Sequence, residues 1–328
     1  MNMDVEFSGD NIGIAESLKK RITILNERAW EHKLNNEGIN RWLENFTGKS
    51  GLAVEVERLH ALYILSQFLY FGSREVRVLL RAVYTDLFLA PLVQKVRVKL
   101  GGTRDLSKIK QGLDEEINAT RFLGVGNPSE SGVHLLYYFR QENGLSKDQF
   151  ADNAQIVTRN PETGERVLRD PGIKRYVFVD DVCGSGSTAV IYSEEFLREL
   201  QSLGSDIEIY YFCLFANSEG MNVVRKDSAF GENCGAVYEF DSSYKSLGDS
   251  SRFFKSIPGC IDIASARAVA STYGKLLWPN HPLGYKDGQM LLGFTHNTPD
   301  NTLPIIWMGA ELNADAPWIP AFKRYHKV

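Results

Sequence analysis

The sequence predicts an α/β protein in which a parallel sheet is flanked by helices, and three observations along its 328 residues carry this prediction. Helical periodicity dominates the chain up to about residue 120. From residue 121 onward, short apolar runs alternate with helical segments, a pattern typical of parallel sheets built from βαβ units. One more helix then leads into a segment rich in Pro, Asn and Trp. We therefore expect a helical region at 1–120, a core at 121–260 and a C-terminal extension at 261–328.

The N-terminal region shows its clearest helix signal between residues 74 and 88, where apolar side chains recur at i, i+3, i+4 and i+7. Residues 52–71 are apolar nearly all round, as in a buried helix. Residues 106–117 predict another helix, with Asp105 as its N-cap. The run VRVKL at 96–100 instead alternates apolar and basic residues, the period of a half-buried strand, so its class stays open.

The predicted core contains four strand-like runs separated by helical segments and turns. The strands are FLGVG at 122–126, YVFVD at 176–180, IEIYYFCLFA at 207–216 and AVYEF at 236–240. Helices are expected at 133–141, 193–203 and 219–225, and a further one at 262–277. This order of elements predicts a sheet whose carboxyl edge carries the ligand site.

The overall composition limits the classes of function. The net charge is −4 and the pI is about 5.9, which does not favour a protein that binds nucleic acid through a broad basic surface. No apolar run approaches the roughly 20 residues that span a bilayer, and the N-terminus lacks the pattern of a signal peptide. We expect a cytoplasmic protein with no membrane partner. The cysteines form no CxxC pair and no zinc-type spacing, so we expect ordinary buried thiols.

The segment YVFVDDVCGSGST, at 176–188, carries the chemistry. Its apolar run has the character of a central strand that is buried on both faces. Asp180 and Asp181 follow at the carboxyl end of this strand, where they can accept hydrogen bonds from the two cis hydroxyls of a ribose. Carboxylates in this place also suit a site that holds Mg²⁺ on the phosphates of the ligand, so both aspartates are indirect metal candidates.

The residues after the two aspartates predict a phosphate-binding loop. Gly184 and Gly186 allow backbone amides to turn toward an anion, while Ser185, Ser187 and Thr188 add hydroxyl donors. The helix that follows adds the positive end of its dipole. A glycine- and serine-rich turn on its own would be interpreted as an ordinary tight turn. The apolar run, the two adjacent aspartates and the loop that follows them together predict binding of a ribose 5-phosphate.

This segment resembles the diphosphoribose-binding motif of type I phosphoribosyltransferases. The resemblance implies a parallel sheet flanked by helices, a variable hood over the site, and Mg²⁺-bound phosphoribosyl pyrophosphate as substrate. It assigns sugar binding to Asp180 and Asp181 and 5-phosphate binding to residues 184–188. One departure concerns Gly184, because many members carry at this position an aspartate that acts as a general base.

The first loop after a strand normally holds pyrophosphate in this family, often through a basic residue. Here its candidate groups are Asn127, Ser129, Ser131 and Gly132, and the loop contains Glu130 but no cation. An ordinary polar turn that caps the next helix is the alternative.

The segment at 155–174 occupies the place where such enzymes carry a mobile catalytic loop. Arg159 and Arg166 could close over pyrophosphate and are the remaining catalytic candidates. A solvated β-hairpin that turns at residues 162–164 is the alternative.

The tail contains the string NTPDNTLPIIW at 297–307, in which Asn and Thr either satisfy the backbone of a structural loop or line a hood that reads a base. This string resembles the C-terminal extension of a phosphoribosyltransferase-like family from bacterial conflict systems, some of them encoded beside reverse transcriptases in retron-type anti-phage operons. The resemblance implies a role in antiviral defence, and as partner a reverse transcriptase–nucleic acid complex or another protein of the same operon.

Two functions follow from these features. The first is a phosphoribosyltransferase, that is, a glycosyltransferase that makes or breaks a bond at C1 of a ribose 5-phosphate with Mg²⁺. The second is a sensor that binds phosphoribosyl pyrophosphate or another nucleotide without turnover and controls a partner. Either is compatible with an oligomer.

Overall fold

The computed structural model describes residues 7–9, 11–125, 131–203, 206–309 and 317–324. Its chain divides into two compact units, one formed by Met1–Arg74 with Asp241–Val328 and the other by Glu75–Phe240. These boundaries differ from the sequence-based division at residues 120 and 260. The helices that follow residue 74 group with the sheet, and the chain after residue 240 groups with the N-terminal helices.

The elements have the following bounds. The α-helices are α1 Asn11–Arg28, α2 Asn36–Leu43, α3 Val54–Ser66, α4 Ser73–Ala82, α5 Ala90–Lys99, α6 Leu106–Asn118, α7 Ser131–Glu142, α8 Ser187–Tyr192, α9 Arg198–Leu203, α10 Ser218–Asp227, α11 Ile263–Leu277 and α12 Pro304–Trp307. The strands are β1 Leu69–Phe71, β2 Thr120–Gly124, β3 Val157–Arg159, β4 Arg166–Leu168, β5 Arg175–Cys183, β6 Glu208–Asn217, β7 Cys234–Phe240 and β8 Leu292–Phe294. The π-helical turns Val83–Leu89 and Ser193–Leu197 join α4 to α5 and α8 to α9.

The sheet of the second unit has the order β2-β5-β6-β7, with every neighbouring pair parallel. Strand β5 is central, and its residues Val177, Phe178 and Val179 are fully buried. Asp180 pairs in register with Cys213 of β6. The predicted α/β architecture, a parallel sheet flanked by helices, is confirmed, and the two aspartates lie near the carboxyl end of a central strand.

Both faces of this sheet carry apolar packing. On one face, Phe178 and Tyr211 belong to a buried cluster with Leu197, Met221 and Val224 from the crossover helices. The other face is aromatic, since the ring of Phe122 lies 5.1 Å from that of Phe88 and 5.2 Å from that of Phe139. Two-sided burial explains why β5 reads as a continuous apolar run rather than an alternating one.

Of the open segment VRVKL, the first four residues are helical and form the end of α5, and Leu100 is the C-cap. Leu92 and Val96, four residues apart, are buried, whereas Val98 is 78% exposed. Burial of residues at i and i+4 is the pattern of a helix that packs on one face. The alternation of apolar and basic residues, which suggested a strand, does not reflect the packing of this segment. The N-cap predicted at Asp105 is confirmed, because its carboxylate accepts hydrogen bonds from the amides of Ser107 and Lys108.

The first unit is built around helices α1, α2, α3 and α11 and the parallel pair β1–β8. Its core takes in the C-terminal segment: Ile306 and Trp307 are buried, and the Trp42 indole donates a hydrogen bond of 2.8 Å to the carbonyl of Ile305. The extension is therefore part of a hydrophobic core. In the portion of the chain that the structure describes, no helix combines the length and the apolar character needed to cross a membrane.

Candidate functional site

The site begins near the carboxyl end of β5, where the carboxylates of Asp180 and Asp181 both accept hydrogen bonds. The Asp180 carboxylate accepts a hydrogen bond of 2.9 Å from the Asp181 amide on Oδ1 and one of 3.0 Å from the Tyr211 hydroxyl on Oδ2. Asp181, only 8% exposed, accepts a 2.8 Å hydrogen bond from the Val182 amide. The predicted carboxylate pair is thus fixed at the carboxyl edge of the sheet, where ligands bind in α/β folds.

The loop from 184 to 188 connects β5 directly to α8. Gly186 has φ 77° and ψ −9° and is the residue from which the helix starts. This left-handed conformation favours glycine. The Ser185 and Ser187 hydroxyls lie 2.8 Å apart, and Thr188 is exposed in the first turn. A left-handed glycine directly before the start of a helix is a conformation that anion-binding turns use, and here the Ser187 amide donates to the Ser185 hydroxyl at 3.4 Å.

The loop rests on the start of α10 through a contact between glycines. A Cβ on Gly186 would lie 2.5 Å from the Gly220 carbonyl oxygen. A Cβ on Gly220 would lie 2.9 Å from the Gly184 carbonyl carbon and closer still to its oxygen. Neither position accepts a side chain without movement of the backbone, so Gly220 takes part in shaping the loop. Sequence reasoning missed Gly220, and its only signal was a glycine just after the end of a strand.

The Cys183 thiol and the Tyr211 phenol, two buried groups near the aspartates, are both neutral. Burial raises the pKa of the Cys183 thiol to about 12, although hydrogen bonds with Tyr211 and the Gly186 amide act in the opposite direction. Burial likewise raises the pKa of the Tyr211 phenol well above its usual value, with the charge of Asp180 adding to the effect. Cys183 is therefore a structural thiol rather than a nucleophile. Tyr211 stays protonated and donates to Asp180.

The predicted pyrophosphate loop falls largely outside the described part of the chain. Asn127 and Ser129 are not among the described residues. Ser131 and Gly132 open helix α7, but their side chains are likewise outside the description. The assignment of these four residues stays a prediction.

The segment with the two candidate arginines forms the hairpin given above as the alternative to a catalytic loop. Strands β3 and β4 are antiparallel, and Arg159 is the direct cross-strand partner of Arg166. Both side chains are exposed. At the base of the hairpin, Ile156 is buried in the apolar cluster of the sheet. Like charges directly opposite each other are unfavourable, so the pair is suited to an anionic ligand.

Side chains of the Asn–Thr string in the tail hydrogen-bond to the backbone of neighbouring segments, which agrees with the structural alternative. Thr302 is fully buried, and its hydroxyl donates a 2.7 Å hydrogen bond to the Leu292 carbonyl. The Asn301 amide donates to the Tyr285 carbonyl at 3.1 Å. These side chains hold the loop within the first unit, and their role as a base-reading hood stays a prediction.

The chemistry of the aspartate pair determines how a metal could be held. Among the described residues, no group of three or more His, Cys, Asp or Glu side chains could enclose an ion. Two adjacent carboxylates fit Mg²⁺ that keeps several waters and takes its other ligands from substrate phosphates, which is the usual mode of this ion.

The fold and the site together define a phosphoribosyltransferase-like protein. The sequence matches the PRTase-CE family over residues 39–324, and the chain belongs to that family. No match was found among curated proteins. Among solved structures, the chain is similar to the Helicobacter pylori Xanthine-Guanine-Hypoxanthine Phosphoribosyltransferase at 14% identity, over 52% of this chain and 83% of that chain, with a TM-score of 0.25.

Proposed function

We propose that this protein binds a ribose 5-phosphate ligand, either phosphoribosyl pyrophosphate or a nucleotide, at the carboxyl edge of its sheet. One observation carries the proposal: the carboxylates of Asp180 and Asp181 lie near the carboxyl end of a central strand that leads through left-handed Gly186 into a helix. Sugar-binding acceptors and an anion-binding turn are thereby separated by only a few residues. A ribose 5-phosphate has both matching groups, since it carries cis hydroxyls and a phosphate.

The roles within this site follow from the chemistry of each group. Asp180 and Asp181 accept hydrogen bonds from the ribose hydroxyls. The amides and hydroxyls of residues 184–188 hold the 5-phosphate. When bound through the ligand and the aspartates, Mg²⁺ would neutralise part of the charge on a pyrophosphate group.

The reaction that this arrangement supports is substitution at C1 of the ribose. A nitrogen of an acceptor base forms the new bond to C1 while the bond from C1 to the pyrophosphate oxygen breaks. Pyrophosphate leaves with the bonding electron pair, and the proton of the attacking nitrogen passes to solvent or to pyrophosphate. The protein contributes by orienting the sugar and by stabilising the charge that develops on the leaving group. The cross-strand pair Arg159 and Arg166 supplies two cations for that purpose.

A second candidate function is a sensor that binds the same ligand without turnover. Gly184 favours it, because this position has no side chain that could remove a proton from a base. We place either function in antiviral defence, with a reverse transcriptase complex or another operon protein as partner. That setting is supported by the resemblance of the C-terminal segment.

Turnover assays separate the two candidates. Phosphoribosyl pyrophosphate and Mg²⁺ are supplied with a panel of nucleobases, and pyrophosphate release is measured beside a calorimetric titration. Base-dependent release supports the enzyme. Tight binding that EDTA weakens, without release for any base, supports the sensor. Absence of both binding and release would rule out the proposed site.

A further inference from the structure

The Tyr211 hydroxyl lies beneath the proposed sugar site and belongs to the neighbouring strand β6. It donates to Asp180 Oδ2 at 3.0 Å, and the tyrosine is 1% exposed. The ring is fixed by packing, since its centroid lies 5.3 Å from that of Phe230. A buried phenol whose ring and hydroxyl are both engaged can adopt few other positions. The Asp180 carboxylate, which accepts a hydrogen bond from this phenol, is therefore also restricted in its orientation.

We propose that Tyr211 is a positioning residue for the ligand site, which it serves by fixing the orientation of the Asp180 carboxylate. This inference rests on the proposed binding of a ribose 5-phosphate. The second fixed point is the Asp181 amide, which donates to Oδ1 of the same carboxylate at 2.9 Å. Since both oxygens accept a hydrogen bond within the protein, the plane of the Asp180 carboxylate is set before ligand binds. A carboxylate oriented in advance does not lose rotational freedom on binding.

A purely structural role predicts a different result in a double-mutant cycle. If Tyr211 only supports the core, Tyr211→Phe weakens ligand binding equally whether residue 180 is Asp or Asn. If it acts by orienting the carboxylate, its effect disappears once that carboxylate is gone. Phe keeps the ring and its packing, so Tyr211→Phe should fold. Tyr176→Phe is a matched control, because Tyr176 is a buried tyrosine on β5 at the opposite end of the strand from Asp180.

The experiment measures the affinity for phosphoribosyl pyrophosphate with Mg²⁺ by calorimetry in wild type, Tyr211→Phe, Asp180→Asn, the double variant and Tyr176→Phe. We expect Tyr211→Phe to weaken binding roughly tenfold, as for loss of a hydrogen bond to a charged group. In the Asp180→Asn background the same change should have an effect of less than about twofold. Tyr176→Phe should bind like wild type.

Each other outcome has a distinct meaning. Equal losses in both backgrounds, or full affinity in Tyr211→Phe, would overturn the role of Tyr211 while the proposed function stands, provided that wild type binds and Asp180→Asn binds more weakly. If wild type shows no binding, the proposed function fails and the role of Tyr211 fails with it.

Discussion

Replacement of Gly220 by alanine tests whether the phosphate loop depends on its close packing against α10. Gly220 itself lies outside the loop, so the change leaves the residues of the loop intact. The added Cβ would stand 2.9 Å from the Gly184 carbonyl carbon and 3.1 Å from the Gly186 nitrogen. Both distances are shorter than ordinary van der Waals contacts, which begin near 3.4 Å. The neighbouring atoms are backbone and cannot rotate away, so the loop must shift as a whole. Since the Gly184 oxygen is closer still, the shift is on the order of 1 Å.

A displacement of this size has two measurable costs. Misplacement of binding groups by about 1 Å can reduce their effect about a hundredfold, so we expect affinity for phosphoribosyl pyrophosphate to fall ten- to roughly a hundredfold. Overpacking costs about 1–3 kcal/mol of unfolding free energy, which lowers the thermal midpoint by roughly 2–12 °C for a unit of this size.

Gly235→Ala provides the matched control in the same sheet. Its Cβ would meet Leu87 and Phe212 at 3.9 Å, an ordinary contact, so affinity and thermal midpoint should stay close to wild type. Calorimetric titration and thermal unfolding are run on all three proteins. Full affinity and an unchanged midpoint in Gly220→Ala would refute the close packing of the loop on α10.

Three further changes test other parts of the account. Alanine at both Arg159 and Arg166 should weaken binding of phosphoribosyl pyrophosphate about tenfold and leave ribose 5-phosphate, which lacks the pyrophosphate, unaffected; equal losses for the two ligands in calorimetry would contradict this. Burial opposes ionisation of Glu208, but hydrogen bonds and charges, among them those of Arg175, outweigh it and lower the pKa of this carboxyl below 4.5. Its stabilising effect is therefore full above the unfolded pKa and is lost as the pH falls through the lower folded pKa. Glu208→Gln should flatten the fall of the thermal midpoint in this acidic range, and an identical pH profile would contradict it. A chain that ends at Pro282 loses buried core of the first unit and should show no cooperative unfolding of that unit; a melting curve like that of wild type would show that the segment is dispensable.

The strands of the sheet could be predicted because each carries its own local signal. Segment 176–180 is apolar on both faces, and the polar groups that follow it mark the edge of the sheet. The run at 96–100 could not be assigned, because its side-chain alternation fits a strand while burial of Val96 depends on distant packing. The boundaries of the two units could not be predicted from the sequence either, since they depend on contacts between the two ends of the chain.

The site was predictable as far as it is contiguous in sequence. Asp180, Asp181 and the loop lie within one short segment and were found by their chemistry. Tyr211 and Gly220 lie on the next strand and helix, and their roles depend on strand register and on the distance of closest approach between backbones. Neither quantity is encoded in a local pattern, so residues that support a site from a neighbouring element need the folded structure to be recognised.

The most direct test of the central claim is calorimetric titration of the Asp180→Asn, Asp181→Asn double variant with phosphoribosyl pyrophosphate and Mg²⁺. Each carboxylate that accepts from a ribose hydroxyl forms a hydrogen bond to a charged group, so loss of both should weaken binding about a hundredfold or more. The thermal midpoint, measured beside it, establishes that the variant is folded. Binding by wild type and its loss in a folded double variant is the predicted result. Unchanged affinity in that variant would contradict the claim that these two carboxylates bind the sugar.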